Sequence, residues 1–196
     1  PPKTGLLHAA MQSGRDDILV VPVAVAYDMV LEDRILARQG TKRRQRPFAR
    51  ELAEMVGAAV GYESRAFVTF GPPLPIAGVN PDSRREVLGF ALETRQIIGR
   101  LYKVVPSAIV AAAMRPSVPL DDLRARVEAL IETLAAAGAN LDVTDPAAIV
   151  ERGVALLADR GVVVPTRQCV RVRERFVLRY YARTIEHLLA PPKRAP

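Results

Sequence analysis

The residues able to do chemistry in this chain are few and scattered. There are two histidines, His8 and His187, and one cysteine, Cys169. A histidine acts as a general base when a carboxylate holds its other ring nitrogen. His8 is followed by Asp16 and Asp17, too far along the chain to share its helical turn. His187 falls near the end of the last apolar-periodic segment, where a cation simply complements the helix dipole. Cys169 has arginines close in sequence, which favour a thiolate, but no histidine nearby to activate it as a nucleophile. One cysteine and two separated histidines do not make a zinc site, and no metal is expected. No G-x-G-x-x-G, G-x-x-x-x-G-K-[ST] or G-x-S-x-G occurs, so neither a phosphate-cradling loop nor a nucleophile elbow is present. Cys169 alone cannot form an intrachain disulfide, and it fits a reducing compartment.

What remains is charge. The 196 residues carry a formal net charge of +7 with a pI near 10.1. That attracts an anionic partner such as phosphate esters, nucleic acid, an acidic carrier or an anionic membrane face. Two clusters hold much of it. One is Arg34, Arg38, Lys42, Arg43, Arg44, Arg46 and Arg50; the other is Arg167, Arg171, Arg173, Arg175, Arg179 and Arg183. Composition is that of a globular protein, 49% apolar and 25% charged. No run of about 18 uncharged apolar residues exists to span a membrane, and PPKTG at the start has no signal-peptide layout.

The elements that must position these groups divide near residues 76–83. Before that point, Ile18–Asp28 (ILVVPVAVAYD) is a near-continuous apolar run, read as a strand buried on both faces. Pro22 lies inside it, and proline belongs at strand starts, edges or bulges. Ala66–Phe70 is a second strand. Pro47–Val60 has helical periodicity and would join the two as a right-handed parallel βαβ unit. Thr4–Gln12 is a short helix with Thr4 as its cap. After that point the pattern is mainly helical. Helices are expected over Ser83–Lys103, Pro106–Met114, Asp121–Ala137, Pro146–Asp159 and Glu174–Leu189, with RPSVP at 115–119 as a breaker. Val162–Val164 and Cys169–Val172 pair as a hairpin. The fold class is therefore α/β followed by a helical domain.

Several blocks, taken in order, resemble the glycerol-3-phosphate acyltransferase family. Pro2, Lys3, Gly5, Leu6 and Leu7 resemble its PK-x-G-L/M-L segment. Val21, Pro22, Val23, Val25, Tyr27, Asp28, Val30 and Glu32 resemble its VPVxIxYD-x-V-x-E block. ARQGTKRRQ resembles its E-L-x-G-x-x-K-K/R-x-E, VTFGPPLPI its V-x-F-G-x-P-L-P, and FVLRYYARTIEHLL its L-R-Y-Y-x-N-x-I-x-H-L-L. The resemblance implies transfer of an acyl chain from acyl-CoA or acyl carrier protein to the sn-1 hydroxyl of glycerol 3-phosphate, the first step of phospholipid synthesis. It implies no cofactor beyond that co-substrate. It also implies a peripheral place on the cytoplasmic membrane face.

The family's H-x-x-x-x-D motif and Arg-Ser-Arg block are missing: five residues after His8 stands Ser13, and five after His187 stands Pro192. The chain is thus expected to be the C-terminal part of such an enzyme. Residues 1–80 would complete the catalytic domain and 81–196 would form a helical C-terminal domain. No catalytic residue is assigned. The resemblance places Lys3, Pro22 and Tyr27 near substrate, and Arg43, Arg44 and Arg46 are candidates to meet membrane or carrier. Dihydroxyacetone phosphate acyltransferases share the motifs and remain an alternative. Two other classes stay open: a module packing on a partner's acyltransferase domain, and a basic winged-helix-like nucleic-acid binder over 121–172. The acids Asp142, Asp145, Glu151 and Asp159 beside the presumed reading helix weigh against nucleic acid.

Overall fold

A computed structural model of the chain describes residues 2–30, 32–37 and 64–189. The expected helix at 47–60 and the residues Arg43, Arg44 and Arg46 lie outside the described residues. The chain divides into two compact units, one from Pro1–Val25 and Phe67–Lys103, the other from Ala26–Ala66 and Val104–Pro196.

The first unit begins with α1 (Gly5–Gln12), which Gly14 terminates at φ 70°. The Thr4 side chain makes no capping hydrogen bond, contrary to the sequence expectation. Met11 of α1 meets Ile76 and Val87 in a small core, flanked by Leu7, Ile18, Val20, Val79 and Phe90. Val87 and Phe90 belong to α2 (Arg84–Leu101). The Ser83 hydroxyl accepts from Glu86 N at the start of this helix, and the Glu86 carboxylate accepts from Asn80 N at 2.9 Å.

The apolar run at 18–28 forms two strands, β1 (Leu19–Val20) and β2 (Val23–Tyr27), interrupted at Val21–Pro22. They pair with β4 (Leu74–Pro75) and β3 (Ala66–Phe70) respectively. β1 and β4 are antiparallel, with Leu19 opposite Pro75 and Val20 opposite Leu74. For β2 and β3, Gly71 N donates to Pro22 O at one end and Asp28 N to Arg65 O at the other. Numbers rise along one strand as they fall along the other, so this pair is antiparallel too. The parallel βαβ arrangement expected for 18–26 and 66–70 is therefore wrong. The expectation had supposed that a helix between two strands makes a crossover, but a connection this long can return the chain in either direction.

From Val20–Leu74 to Pro22–Gly71 the first strand advances two residues and the second three. The extra residue falls in the stretch holding Pro72 and Pro73. Prolines have no N–H for the ladder, so the register break costs little there. Nor is the strand buried on both faces. Ala24 and Ala26 are buried, whereas Val25 and Tyr27 are 45% and 48% exposed. The period-2 alternation was present in VAVAY, but both of its classes are apolar. Val25 faces outward opposite Val68, with Phe70 exposed on the same edge of β3.

The second unit is built around α4 (Pro106–Ala113) and also holds a short helix, α3 (Asp33–Leu36), which comes before α2 in the chain. Seven of the eight α4 residues are buried. It packs against α5 (Leu120–Ala136), α6 (Pro146–Asp159) and α7 (Arg175–Thr184). Leu123, Val127 and Leu134 of α5 and Ile149, Val150, Val154 and Leu157 of α6 turn inward. Asp145 caps α6 by accepting from Ala148 N at 2.7 Å. Two short strands, β5 (Lys103–Val104) and β7 (Asn140–Leu141), pair with each other.

The expected hairpin forms from β8 (Val163–Pro165) and β9 (Cys169–Val172), with Val164 opposite Arg171. A third strand, β6 (Ser117–Pro119), joins the other side of β9, giving the order β6-β9-β8. RPSVP is thus part edge strand, which tolerates the terminal proline. Helix, strand, two helices and a two-stranded wing, with the first strand beside the last, is winged-helix topology. The expected helix at 174–189 breaks at Ile185 into α7 and α8 (Glu186–Leu189).

Candidate functional site

Two ionic clusters built on buried carboxylates stand out in the second unit. In the first, Asp28 follows β2, Arg65 precedes β3, Asp142 follows β7 and Arg152 stands on α6. The Asp28 carboxylate accepts from Arg65 N at 2.8 Å, Ser64 Oγ at 3.0 Å and Arg65 Nε at 3.1 Å. Arg152 lies 3.6 Å from the same carboxylate and 3.5 Å from that of Asp142. Arg65 reaches Asp142 at 3.0 Å. Ser107 Oγ, on buried α4, donates to the Asp28 carbonyl. Burial alone would lower the pKa of the Arg65 guanidinium. Its hydrogen bond to Asp28 and the charge of Asp142 outweigh that and hold it above its ordinary value.

The second cluster is tighter. Asp33 at the start of α3 is fully buried, and Arg160 grips it with a two-pronged contact, 2.6 Å to Oδ1 and 3.2 Å to Oδ2. Tyr181 Oη donates to Asp33 Oδ2 at 2.8 Å and accepts from Val30 N at 3.1 Å.

Chemically, both carboxylates are already occupied by donors, so neither is placed to take a proton from a substrate. They act as latches holding residues 28–33 onto α4, α6 and α7. Sequence reading counted Asp28 as the polar end of a strand and missed both clusters, because their members are separated by up to 148 residues. The only local signal was the unusual placement of an acid directly after an apolar run.

Lys3 is exposed, Pro22 is buried with its carbonyl bonded to Gly71 N, and Tyr27 is about half exposed. No hydrogen bond joins the three among the described residues. His8 Nε2 lies 2.9 Å from the Pro81 carbonyl oxygen. A carbonyl only accepts, so Nε2 carries the hydrogen there. His8 lines a cavity of about 500 Å³ with Thr4, Gln12, Asp82 and Arg84, yet no carboxylate hydrogen-bonds its ring among the described residues. Among the described residues no group of three or more His, Cys, Asp or Glu could hold a metal, and no helix is long and apolar enough to cross a membrane.

Cys169 sits at the wing. Thr166 Oγ1 is 3.3 Å from its Sγ. Hydrogen bonding with Thr166 and Ser117, with the charge of Arg171, holds the thiol below its ordinary pKa despite an opposing effect of burial. Since the thiolate is the reactive form, Cys169 should alkylate with iodoacetamide at a lower pH than an unperturbed thiol. Rate against pH in wild type and Thr166→Val measures this, and the variant's profile should move upward. Identical profiles would contradict the assignment.

On α6 the outward residues are Ala147, Glu151, Ala155 and Asp159. In a winged helix this element would enter a DNA groove, and here it offers carboxylates to phosphates. That supports the sequence argument against nucleic acid.

Comparison with known proteins gives three similarities of one kind. A glycerol-3-phosphate acyltransferase of Pseudomonas putida (strain W619) is 30% identical over 99 residues, 45% of this chain and 12% of that protein. Glycerol-3-phosphate acyltransferases of Pseudomonas savastanoi pv. phaseolicola and Pseudomonas syringae pv. syringae are each 26% identical over alignments of 226 positions, covering 97% of this chain. The chain spans 27% of the length of these two relatives. No protein-family model matches it.

Proposed function

We propose that the chain is part of a glycerol-3-phosphate 1-O-acyltransferase. Its residues 1–80 would complete the catalytic domain, and residues 81–196 would form a C-terminal domain. The observation that carries this reading is similarity to proteins of that name along 97% of the chain. The site agrees with it in a negative way. The two buried carboxylates among the described residues, Asp28 and Asp33, are latched to arginines, and His8 is bonded to a backbone carbonyl. The base that deprotonates the glycerol 3-phosphate hydroxyl would then come from residues outside this chain. The uncovered apolar face of Val25, Val68 and Phe70 supports further structure packing on the ribbon in the longer protein. In that setting Pro22 shapes the strand at the pocket wall, Tyr27 closes its end and Lys3 contributes charge toward the substrate phosphate. The acyl donor is acyl-CoA or acyl carrier protein, and the enzyme works at the cytoplasmic membrane face.

The test compares two proteins. The purified chain alone should show no transfer from an acyl thioester to glycerol 3-phosphate. A longer protein that contains it, with an H-x-x-x-x-D motif upstream, should show transfer. Turnover by the chain alone would overturn the assignment of the reactive half to other residues. Absence of turnover from the longer protein, with the upstream motif intact, would overturn the reaction itself.

A further inference from the structure

Thr4, His8 and Gln12 recur every fourth residue, so the start of the chain sets them on one face of α1. All three line the cavity of about 500 Å³ in the first unit, together with Asp82 and Arg84 at the start of α2. That volume suits a small molecule. The fold does not use up the polar groups around it. The Thr4 hydroxyl stands at the N-cap of α1 but makes no capping bond. His8 commits its Nε2 hydrogen to the Pro81 carbonyl, which leaves Nδ1 as a bare acceptor. Asp82 and Arg84 carry opposite charges two residues apart. Neither side chain joins an ion pair among the described residues. Val87 and Leu88, in the next turn of α2, give the cavity an apolar wall.

We infer that this cavity binds a small zwitterion, a molecule with an ammonium and an anionic group a few bonds apart. The two free charges select it. A ligand with a negative group alone meets the Asp82 carboxylate, and an amine alone meets the Arg84 guanidinium. Each would gain one attraction against one repulsion. A zwitterion satisfies both. Its anionic group takes the paired N–H donors of Arg84 and the Thr4 hydroxyl. Its ammonium donates to the Asp82 carboxylate and to His8 Nδ1, which are both acceptors. An α-amino acid with an apolar side chain fits most fully, because that side chain covers Val87 and Leu88. A phosphorylated amino alcohol shares the charge pattern but has nothing to lay on the apolar wall.

The experiment is an NMR titration of the purified, isotope-labelled chain with leucine, phosphoethanolamine, glycerol 3-phosphate and isopentylamine. Leucine should bind saturably, with amide shifts confined to α1 and the start of α2. Phosphoethanolamine should bind more weakly at the same residues. The two ligands of single charge sign should each bind roughly tenfold more weakly than leucine. Arg84→Gln and Asp82→Asn should each lower leucine affinity roughly tenfold. Arg85→Gln, an exposed neighbour outside the cavity lining, should leave it unchanged. All three positions are exposed, so circular dichroism should show the fold retained. Tighter binding of phosphoethanolamine than of leucine would keep the zwitterion and assign the cavity to a phosphorylated amino alcohol. The assignment is overturned if neither zwitterion binds saturably, or if neither Arg84→Gln nor Asp82→Asn weakens binding. It is equally overturned if glycerol 3-phosphate or isopentylamine binds as tightly as the zwitterions. Binding is read directly and not through turnover, so failure here leaves the acyltransferase reading standing.

Discussion

Arg160→Ala should destabilise the second unit by about 3–5 kcal/mol, the range for breaking a buried ion pair from one side. Asp33 is fully buried and takes both prongs of Arg160. Removing the guanidinium leaves a carboxylate in the interior that keeps the Tyr181 Oη donor but loses its counter-charge. The neighbouring change Tyr181→Phe removes one hydroxyl that serves both Asp33 and the Val30 amide, and about 1–3 kcal/mol is expected from it. The ordering is the useful part, because a lost charge exceeds a lost dipole in the same low-dielectric site. Urea denaturation of the three proteins measures it. Equal midpoints for wild type and Arg160→Ala would mean that Asp33 is hydrated and that the latch carries no stability. By contrast, neutralising Arg15 or Asp17, an exposed pair at 2.7 Å, should leave the midpoint unchanged.

Gly153→Ala should lower stability although alanine is the better helix former. The propensity gain is about 1 kcal/mol. A Cβ at this position, however, would come within 2.5 Å of Val110 Cγ2 and 2.6 Å of the Pro106 carbonyl oxygen. The carbonyl belongs to the backbone of α4 and cannot rotate away. α6 must therefore back off from α4, the most buried helix of the unit, and overpacking of this kind costs about 3 kcal/mol. The net expectation is a loss of about 2 kcal/mol. Gly89 on α2 is the internal control, with nothing within 4 Å of its Cβ position. Gly89→Ala should gain roughly 1 kcal/mol. Thermal unfolding of both variants tests the pair, and a stabilised Gly153→Ala would show that the close approach of α4 and α6 relaxes at little cost.

What the sequence determined by itself was local. Asp145 and Pro146 mark the start of α6, Gly161 follows its end at φ 67°, and the inward stripe of Ile149, Val150, Val154 and Leu157 is where the 3.6-residue period puts it. Those signals act within one or two turns of chain, so they can be read without knowing anything distant. The β8–β9 hairpin was legible for the same reason, since only a few residues separate its strands. The family resemblance was also legible, carried by ordered short blocks.

The tertiary structure alone decided the rest. Whether 18–28 runs with or against 66–76 depends on how the intervening chain returns, and no local period reports that. Ser117–Pro119 became a strand because β9 offered it an unpaired edge, although Pro119 within it and Pro116 just before it argue for a break. Asp28 and Asp33 acquired their arginines from positions 65, 152 and 160, and ionic pairing in an interior follows proximity in space. The line of arginines on α7 was visible as a charge cluster in the sequence. That it faces solvent, while Tyr181 and Ile185 face inward, was settled only when the helix packed against α4.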